Sequence, residues 1–180
     1  MSYCSYCENL PLDNLHRIYH DTKYGFPIES DNELFGRLIL EINQAGLSWD
    51  TMLKKEQAFR KAFEEFDIQK IANYQDKERE RLLNDAGIIR NRLKIDAVIY
   101  NAGAILALQK QYGSFKNWLD MQEFTTKEEW LKEFKKHFKF VGGEIVNEFL
   151  MSSGYLKGAH NEKCIIFDKI IKSKPRWLDL

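Results

Sequence analysis

The three prolines of this 180-residue chain lie near its two ends, at Pro11, Pro27 and Pro175. The long interior between Pro27 and Pro175 therefore lacks the residue that most strongly interrupts helices. Apolar side chains recur there at helical spacing, as Leu34 and Leu38 illustrate, whereas apolar and polar residues nowhere alternate long enough to indicate a strand. The sequence predicts an all-α fold.

Glycines and capping residues divide this interior into helices. Thr126 and Glu129, for example, have the spacing of a capping box. We predict helices over residues 12–22, 31–45, 48–64, 67–74, 76–85, 91–111, 114–119, 126–138, 143–153 and 161–171. No repeat or linker separates them, so residues 1–180 are predicted to form one domain with two helical lobes.

The composition indicates a globular protein, with 44% hydrophobic and 30% charged residues. The net charge of zero argues against a generally basic nucleic-acid binder, but residues 1–50 carry eight acidic and only three basic side chains. A polyanion should therefore meet the later part of the chain. No apolar run is long enough to span a membrane, and the N-terminus lacks the features of a signal peptide, so a cytoplasmic location is expected.

A predicted helix junction at residues 41–49 gathers a carboxylate, a carboxamide and an indole. Gly46 is placed to end the first helix, and Ser48 is placed to cap the second. The arrangement suits a pocket for a flat ligand that forms hydrogen bonds. Alternatively, Leu47 and Trp49 are core residues beneath a turn, and Glu41 is a solvated charge.

Cysteine and histidine residues that could ligate a metal lie near both ends of the chain. They are Cys4, Cys7, His16, His20, His160 and Cys164. His160 and Cys164 are four residues apart, one turn of a helix, so both side chains could face one ion. Two nitrogen and two sulfur ligands suit tetrahedral Zn²⁺, which would clip the termini together as a structural ion. Alternatively, the cysteines are small buried apolar residues and the histidines are hydrogen-bonded surface groups.

Residues 76–102 are predicted to form two helices joined by a short turn at Gly87. The start of the second helix presents free backbone N–H groups, and its dipole favours an anion. Arg90, Arg92 and Lys94 crowd the same end. The segment is typical of a helix-hairpin-helix phosphate clamp, which holds the DNA backbone without reading sequence. Alternatively, it is an ordinary helix turn with a solvated basic face.

Several short stretches combine into a recognisable pattern that runs from one end of the chain to the other. They are Cys4-Ser-Tyr6, Tyr19-His20-Asp21, Gly25, Pro27, Leu34-Phe35, Glu41, Gln44 to Trp49, Asp85 to Arg90, Phe138 to Gly142, and His160 with Cys164. In these stretches the chain resembles the 3-methyladenine DNA glycosylase I family, within the helix-hairpin-helix glycosylase superfamily. The resemblance implies a helix-hairpin-helix glycosylase architecture with a structural zinc site that joins the termini.

The resemblance also implies a set of zinc ligands. The set is Cys4, His20, His160 and Cys164. Cys4 and His20 are slightly further apart than in the family, and Cys7 and His16 lie between them, so either could be a ligand instead. Cys4 is favoured because Tyr6 then falls where the family places an aromatic residue near its base pocket.

The base pocket implied by the resemblance centres on Glu41, which would contact the edge of the adenine. Tyr19 and Trp49 would lie around the ring. Tyr6 and Tyr24 would lie nearby, at positions where the family usually has Trp.

The resemblance also implies two sets of DNA contacts. The first set, Gly46 and Leu47, would fill the gap that the flipped base leaves in the duplex. The second set would hold phosphates and comprises Gly87, Arg90, Arg92 and Lys94.

The activity implied by the resemblance is excision of 3-methyladenine from alkylated double-stranded DNA, by hydrolysis of the N-glycosidic bond of a flipped base. No lysine stands in a recognisable position for Schiff-base lyase chemistry, so a monofunctional enzyme is expected. We expect a monomer with structural zinc. Two alternatives remain: a glycosylase of the same fold with a shifted base substrate, indicated by Tyr6 and Tyr24, and a zinc-stapled DNA-binding module without catalytic activity.

Overall fold

The computed structural model describes residues 2–180, which form helices joined by turns and contain no strand. The α-helices are α1 (Tyr3–Glu8), α2 (Leu15–Thr22), α3 (Asp31–Gln44), α4 (Trp49–Ala62), α5 (Ile68–Ala72), α6 (Asp76–Asn84), α7 (Arg92–Tyr112), α8 (Phe115–Asp120), α9 (Lys127–His137), α10 (Gly143–Ser152) and α11 (Phe167–Lys172). The predicted all-α fold is confirmed. Among the residues described, no helix has the length and apolar character needed to cross a membrane.

Most helix boundaries agree with the sequence-based prediction to within a few residues, because the predicted caps form. Ser48 accepts a hydrogen bond from Thr51 N at 3.2 Å, and Thr126 and Glu129 form the capping box. Ser30 caps α3, whereas the neighbouring Asp31 accepts from the backbone of α8. These local signals explain why the helices could be read from the sequence.

The prediction is wrong at the two ends of the chain. Helix α1 was not predicted, although Ser2 caps it. The predicted helix over residues 161–171 exists only as the short α11, and residues 154–166 form consecutive turns instead. Gly158 lies in these turns with a φ of 139°, which a helix cannot contain. His160 and Cys164 therefore do not lie on one helical turn.

The main hydrophobic core surrounds α3, in which every residue from 34 to 43 is buried. Helices α4, α7 and α10 pack against it. A smaller apolar cluster at the termini includes Cys4, Cys164 and Ile170. The fold therefore places α3 at the centre and brings the first and last segments together on one side.

Gly25 allows the N-terminal helices to approach the C-terminal turns. Its φ of +82° is one that glycine adopts readily, and a Cβ at this position would lie 2.8 Å from the Cβ of Ala159. Its backbone N–H also donates to Ser152 O at the end of α10, at 2.9 Å. The segment after α2 is thus held against both α10 and the turns that carry His160.

Candidate functional site

The predicted turn between α3 and α4 is present, and its tip is open to solvent. Gly46 has a φ of +84°, and a Cβ placed on it would meet no atom within 4 Å. Leu47 is exposed. Gln44 closes the turn by donating from Nε2 to Leu47 O at 2.8 Å. The structure thus presents a small apolar tip at the junction.

Lys94 supports this turn from beneath. Its ammonium donates to Asn43 O at 2.9 Å and to Ala45 O at 2.7 Å, which are carbonyls at the end of α3. The residue is buried, and burial lowers the pKa of Lys94. We correct the prediction accordingly: the side chain binds the α3 terminus and is not placed to hold a phosphate.

A cavity of about 490 Å³ opens beside the turn. It is lined by Tyr3, Tyr19, Tyr24, Glu41, Gln44, Trp49, Glu144 and Glu148. The structure therefore brings together four of the five residues predicted to form the base pocket. Such a cavity is large enough for one small aromatic ligand.

The aromatic walls of the cavity are held rigidly. The Tyr19 ring lies 5.1 Å from that of Trp49 and 5.5 Å from that of Tyr24, measured between centroids. Arg37, one turn before Glu41 on α3, donates from Nη1 to the Tyr19 hydroxyl at 3.0 Å and to Ser152 O at 3.2 Å. Tyr19 is thus fixed by a buried guanidinium that is itself anchored to α10.

Glu41 is a buried carboxyl without a partner. Its side chain lines the cavity and the residue is only 4% exposed, yet it forms no hydrogen bond or ion pair with any residue from 2 to 180. Burial raises the pKa of Glu41 to about 8, against the lowering effect of Arg37 and with a further rise from Glu148. Trp49 Nε1 is likewise buried without a hydrogen-bond partner among the described residues. Since buried polar groups are normally paired, both are available to a ligand.

Glu148 adds a second carboxyl to the cavity. It accepts a hydrogen bond from the Tyr24 hydroxyl at 3.3 Å, and burial raises the pKa of Glu148. Sequence reasoning missed this residue. The available signal was weak: Glu144 and Glu148 are four residues apart on a predicted helix and so share one face.

Tyr6 does not line the cavity, contrary to prediction. The residue is 42% exposed, and its ring stacks on that of Tyr3 at 6.3 Å. Tyr3 occupies the cavity wall instead, with its ring 5.5 Å from that of Tyr24. Tyr3 is the first residue of α1, and Tyr6 lies one turn further along that helix.

Cys4, His20, His160 and Cys164 form a buried cluster in which all four ligand atoms lie within 4.8 Å of one another. Nδ1 of His160 is 3.8 Å from the Cys4 sulfur and 3.4 Å from the Cys164 sulfur. Nε2 of His20 is 3.6 Å from the Cys164 sulfur. Ligands at zinc bond lengths in a tetrahedron are separated by about 3.5 Å, so these atoms fit one such ion.

The other ring nitrogens of both histidines have partners. Nδ1 of His20 is 2.6 Å from Asp21, which also binds Arg17. Nε2 of His160 donates to Tyr24 O at 2.8 Å. These contacts turn the remaining nitrogens toward the two sulfurs, as is usual for histidines that bind metals.

Cys7 and His16, the alternative ligands, lie outside the cluster. The Cys7 thiol donates to His16 O at 3.6 Å. Nδ1 of His16 is 3.1 Å from the Tyr3 hydroxyl, and Nε2 is 3.6 Å from Asp50. The structure thus separates Cys7 and His16 from the four convergent side chains.

The hairpin between α6 and α7 is closed by a few specific contacts. Gly87 N donates to the Asp85 carboxylate at 2.7 Å, and Lys55 donates to Gly87 O at 2.9 Å. Arg90 and Arg92 are exposed and form no ion pair within residues 2–180. Two of the three predicted cations are therefore free to meet an anion at the start of α7.

A sequence model described as methyladenine glycosylase matches residues 8–136. The chain belongs to the methyladenine glycosylase family. The family match includes the α3–α4 turn and the hairpin, and it excludes Cys4, Glu148, His160 and Cys164, which lie outside the matched segment.

Two bacterial members of the methyladenine glycosylase family are similar to the chain over most of its length. DNA-3-methyladenine glycosylase 1 of Escherichia coli (strain K12) is 36% identical over 167 residues, which cover 82% of this chain and 89% of the relative. DNA-3-methyladenine glycosylase of Haemophilus influenzae is 32% identical over 163 residues, which cover 80% and 88%.

The likeness within the methyladenine glycosylase family extends to three dimensions. A structure of 3-methyladenine DNA glycosylase I from Staphylococcus aureus, solved to explain 3-methyladenine recognition, aligns with a TM-score of 0.80 at 30% identity. The alignment covers 92% of this chain and 97% of the other. Most of the residues outside the family match are thus part of the shared fold.

Proposed function

We propose that this protein is a monofunctional DNA glycosylase that excises 3-methyladenine from alkylated DNA by hydrolysis of the N-glycosidic bond. The observation that carries the proposal is the unpartnered carboxyl of Glu41 in a cavity walled by Tyr19 and Trp49. A DNA-binding protein without catalytic activity would need none of these three groups, because phosphate binding alone requires none of them.

The cavity suits a flat cation. N3-methyladenine in DNA carries a positive charge, and aromatic faces attract such a charge by about 0.5 to 2 kcal/mol. The Glu41 carboxylate would accept a hydrogen bond from the exocyclic amine, and the cation would favour the ionised carboxylate that burial disfavours. Glu148 places a second acidic group near the same charge. The cavity therefore selects a methylated, positively charged base over adenine.

Binding alone does not explain the rate of bond cleavage. Interactions that are equal in the ground and transition states lower KM without raising kcat, and positive charge passes from base to sugar as the bond breaks. The methylated base is itself a good leaving group, so the protein needs less acid–base assistance than for an uncharged base. The contribution of this chain is then to hold the flipped base and to lower the cost of flipping, which is a few kcal/mol.

The surface around the cavity suits duplex DNA. Gly46 and Leu47 project beside the cavity and would occupy the space that the flipped base vacates. The Gly87 hairpin, with Arg90 and Arg92, would hold phosphates, so affinity should fall steeply with salt.

The proposed site requires one copy of the full chain. The side chains that line the cavity come from α1, α2, α3, α4 and α10 and from the segment after α2, so residues 1–180 would act as one domain and as a monomer. We propose that the reaction takes place in the cytoplasm, which is consistent with a DNA substrate and with bacterial relatives.

We further propose that Cys4, His20, His160 and Cys164 hold Zn²⁺. Four buried ligands with no open position fit a structural ion, which would join α1 and α2 to the turns before α11.

A second candidate function is a glycosylase of the same fold with a shifted range of lesions. It is favoured by the Tyr24 hydroxyl and Glu148, which make one wall of the cavity polar. A panel of oligonucleotides, each with one alkylated or deaminated base, separates the two candidates: release of another base without 3-methyladenine would support the second.

The proposed function is tested by titrating free 3-methyladenine into the protein and following tryptophan fluorescence, and by measuring base release from methylated DNA. Glu41→Gln should weaken binding by about tenfold to a hundredfold, the value of a hydrogen bond to a charged group. Glu123→Gln, an exposed residue between α8 and α9, is the matched control and should bind as the wild type does. Equal binding by both variants, or no base release by the wild type, would contradict the proposal.

A further inference from the structure

The segment between α9 and α10 presents an aromatic side chain on a left-handed backbone. Phe140 has a φ of 58° and is 39% exposed, whereas its neighbours Phe138 and Val141 are buried. A positive φ is unfavourable for an aromatic residue, and such strain persists only where the surrounding structure enforces it, often at functional sites. The sequence motif that contains Phe140 has no part in the cavity, the metal cluster or the hairpin.

A buried asparagine fixes this segment. Asn101, on α7, donates from Nδ2 to Lys139 O at 3.0 Å, and Lys139 N donates to Asn101 Oδ1 at 2.8 Å. The Lys139 ammonium lies 4.0 Å from the centroid of the Tyr100 ring. The backbone immediately before Phe140 is thus held at a defined position against α7, which fixes the place from which the Phe140 side chain extends.

Phe140 lies beside the α3–α4 turn. Its ring centroid is 5.9 Å from the Lys94 ammonium, which in turn binds Asn43 O and Ala45 O. The exposed tip at Leu47 follows two residues after Ala45. Phe140 is therefore linked through Lys94 to the turn that carries Leu47, and both side chains are exposed. Phe140 is not among the side chains that line the cavity.

We propose that Phe140 is a positioning residue that stacks on the base left unpaired in the opposite strand when the lesion is flipped. This inference rests on the proposed function. Flipping one nucleotide exposes the face of its former partner, and an aromatic side chain can cover that face without reading sequence. Lys139, next to Phe140, and Arg92, at the start of α7, are both exposed and positively charged. Their charges suit the phosphates of the second strand.

The proposal is tested by comparing excision of 3-methyladenine from duplex and from single-stranded DNA. Phe140→Ala should lower kcat/KM on the duplex by about tenfold or more, the value of base–aromatic stacking, and leave single-stranded DNA and free-base binding unchanged. Met121→Ala, a similarly exposed apolar residue after α8, is the control and should not change either rate.

A second variant separates stacking from a structural role. Phe140→Gly relieves the unfavourable φ that Phe140→Ala retains, so its Tm should be higher than that of Phe140→Ala, yet it should lose duplex excision to the same extent. Wild-type duplex rates for both variants, or equal losses on duplex and single strand, would overturn the proposal. If the wild type releases no 3-methyladenine at all, the proposed function fails separately. Phe140 is then tested with a duplex that carries 2-aminopurine opposite an abasic-site analogue. The fluorescence of 2-aminopurine should change when the wild type binds and should not change when Phe140→Gly binds. Equal changes with both proteins would overturn the proposal.

Discussion

Arg37 and Glu41 lie one turn apart on α3, yet the guanidinium donates to the Tyr19 hydroxyl and to Ser152 O and forms no ion pair with the carboxyl. Arg37 therefore lowers the pKa of Glu41 only in part, and burial dominates. The Glu41 carboxyl therefore lies inside the cavity without a hydrogen-bond or ion-pair partner among the described residues. A buried acid without a partner costs stability, which is a common property of binding sites.

Glu41→Gln should remove a pH dependence of stability. The folded-state pKa of Glu41 is about 8, above its ordinary value of 4.5, so the folded state retains the proton longer than the unfolded state. The wild type should therefore lose stability from this group as pH rises from about 4.5 to about 8. The variant should lack that loss and be more stable at pH 8 by a few kcal/mol. Urea unfolding at pH 5 and pH 8 measures the free energy of unfolding of both proteins. An equal change in this free energy between the two pH values would contradict the prediction.

Arg92→Ala should weaken binding to every duplex alike. The exposed guanidinium has no partner in the described chain, so its loss should remove about one phosphate contact and reduce the dependence of log K on log salt by about one unit. Stability should not change. Binding to lesion-containing and undamaged duplexes at several salt concentrations provides the measurement, and a loss confined to lesion DNA would exclude the phosphate contact.

Lys94→Met should behave differently from Arg92→Ala, although the two residues are separated by only one position. Two carbonyls at the end of α3, one buried and one half-buried, would lose their donor, which should cost about 1 to 3 kcal/mol of stability. Excision should fall on single-stranded and duplex DNA alike, because the turn beside Glu41 shifts, while the salt slope should stay as in the wild type. A weaker dependence of log K on log salt, without a change in stability, would instead support a contact between Lys94 and a phosphate.

Cys164→Ala should release zinc and lower Tm, whereas Cys7→Ala should retain one zinc per chain. Both cysteines are buried, but only Cys164 belongs to the cluster of four ligands. Elemental analysis of the purified proteins, together with thermal unfolding, distinguishes them. Absence of zinc from the wild-type protein, or equal zinc content in both variants, would contradict the proposed zinc site.

The features that the sequence predicted well have local causes. The α3–α4 turn was predicted from Gly46 and Ser48 alone, and Ser48 caps α4 in the structure. Family resemblance added the four-residue cluster, whose members come from distant parts of the chain.

The predictions that were wrong depend on long-range contacts. Nothing near Lys94 in the sequence indicates that its partners are carbonyls at the end of α3, about fifty residues earlier. That Tyr3 rather than the predicted Tyr6 lines the cavity depends on how α1 docks against Tyr24. The four-residue spacing of His160 and Cys164 is typical of a helix, but Gly158 and the approach of Gly25 favour turns that bring the same side chains together.

Tyr24 belongs to two sites at once. Its ring is a wall of the cavity, and its carbonyl accepts the hydrogen bond from the proposed metal ligand His160 at 2.8 Å. Loss of the ion would release the His160 imidazole, which would then no longer hold the Tyr24 carbonyl in place. The backbone that positions the Tyr24 ring would be free to shift. On the proposed assignments, the capacity of a cell to remove the lesion would then follow its zinc supply, through a single hydrogen bond and without any change in the residues that touch the base.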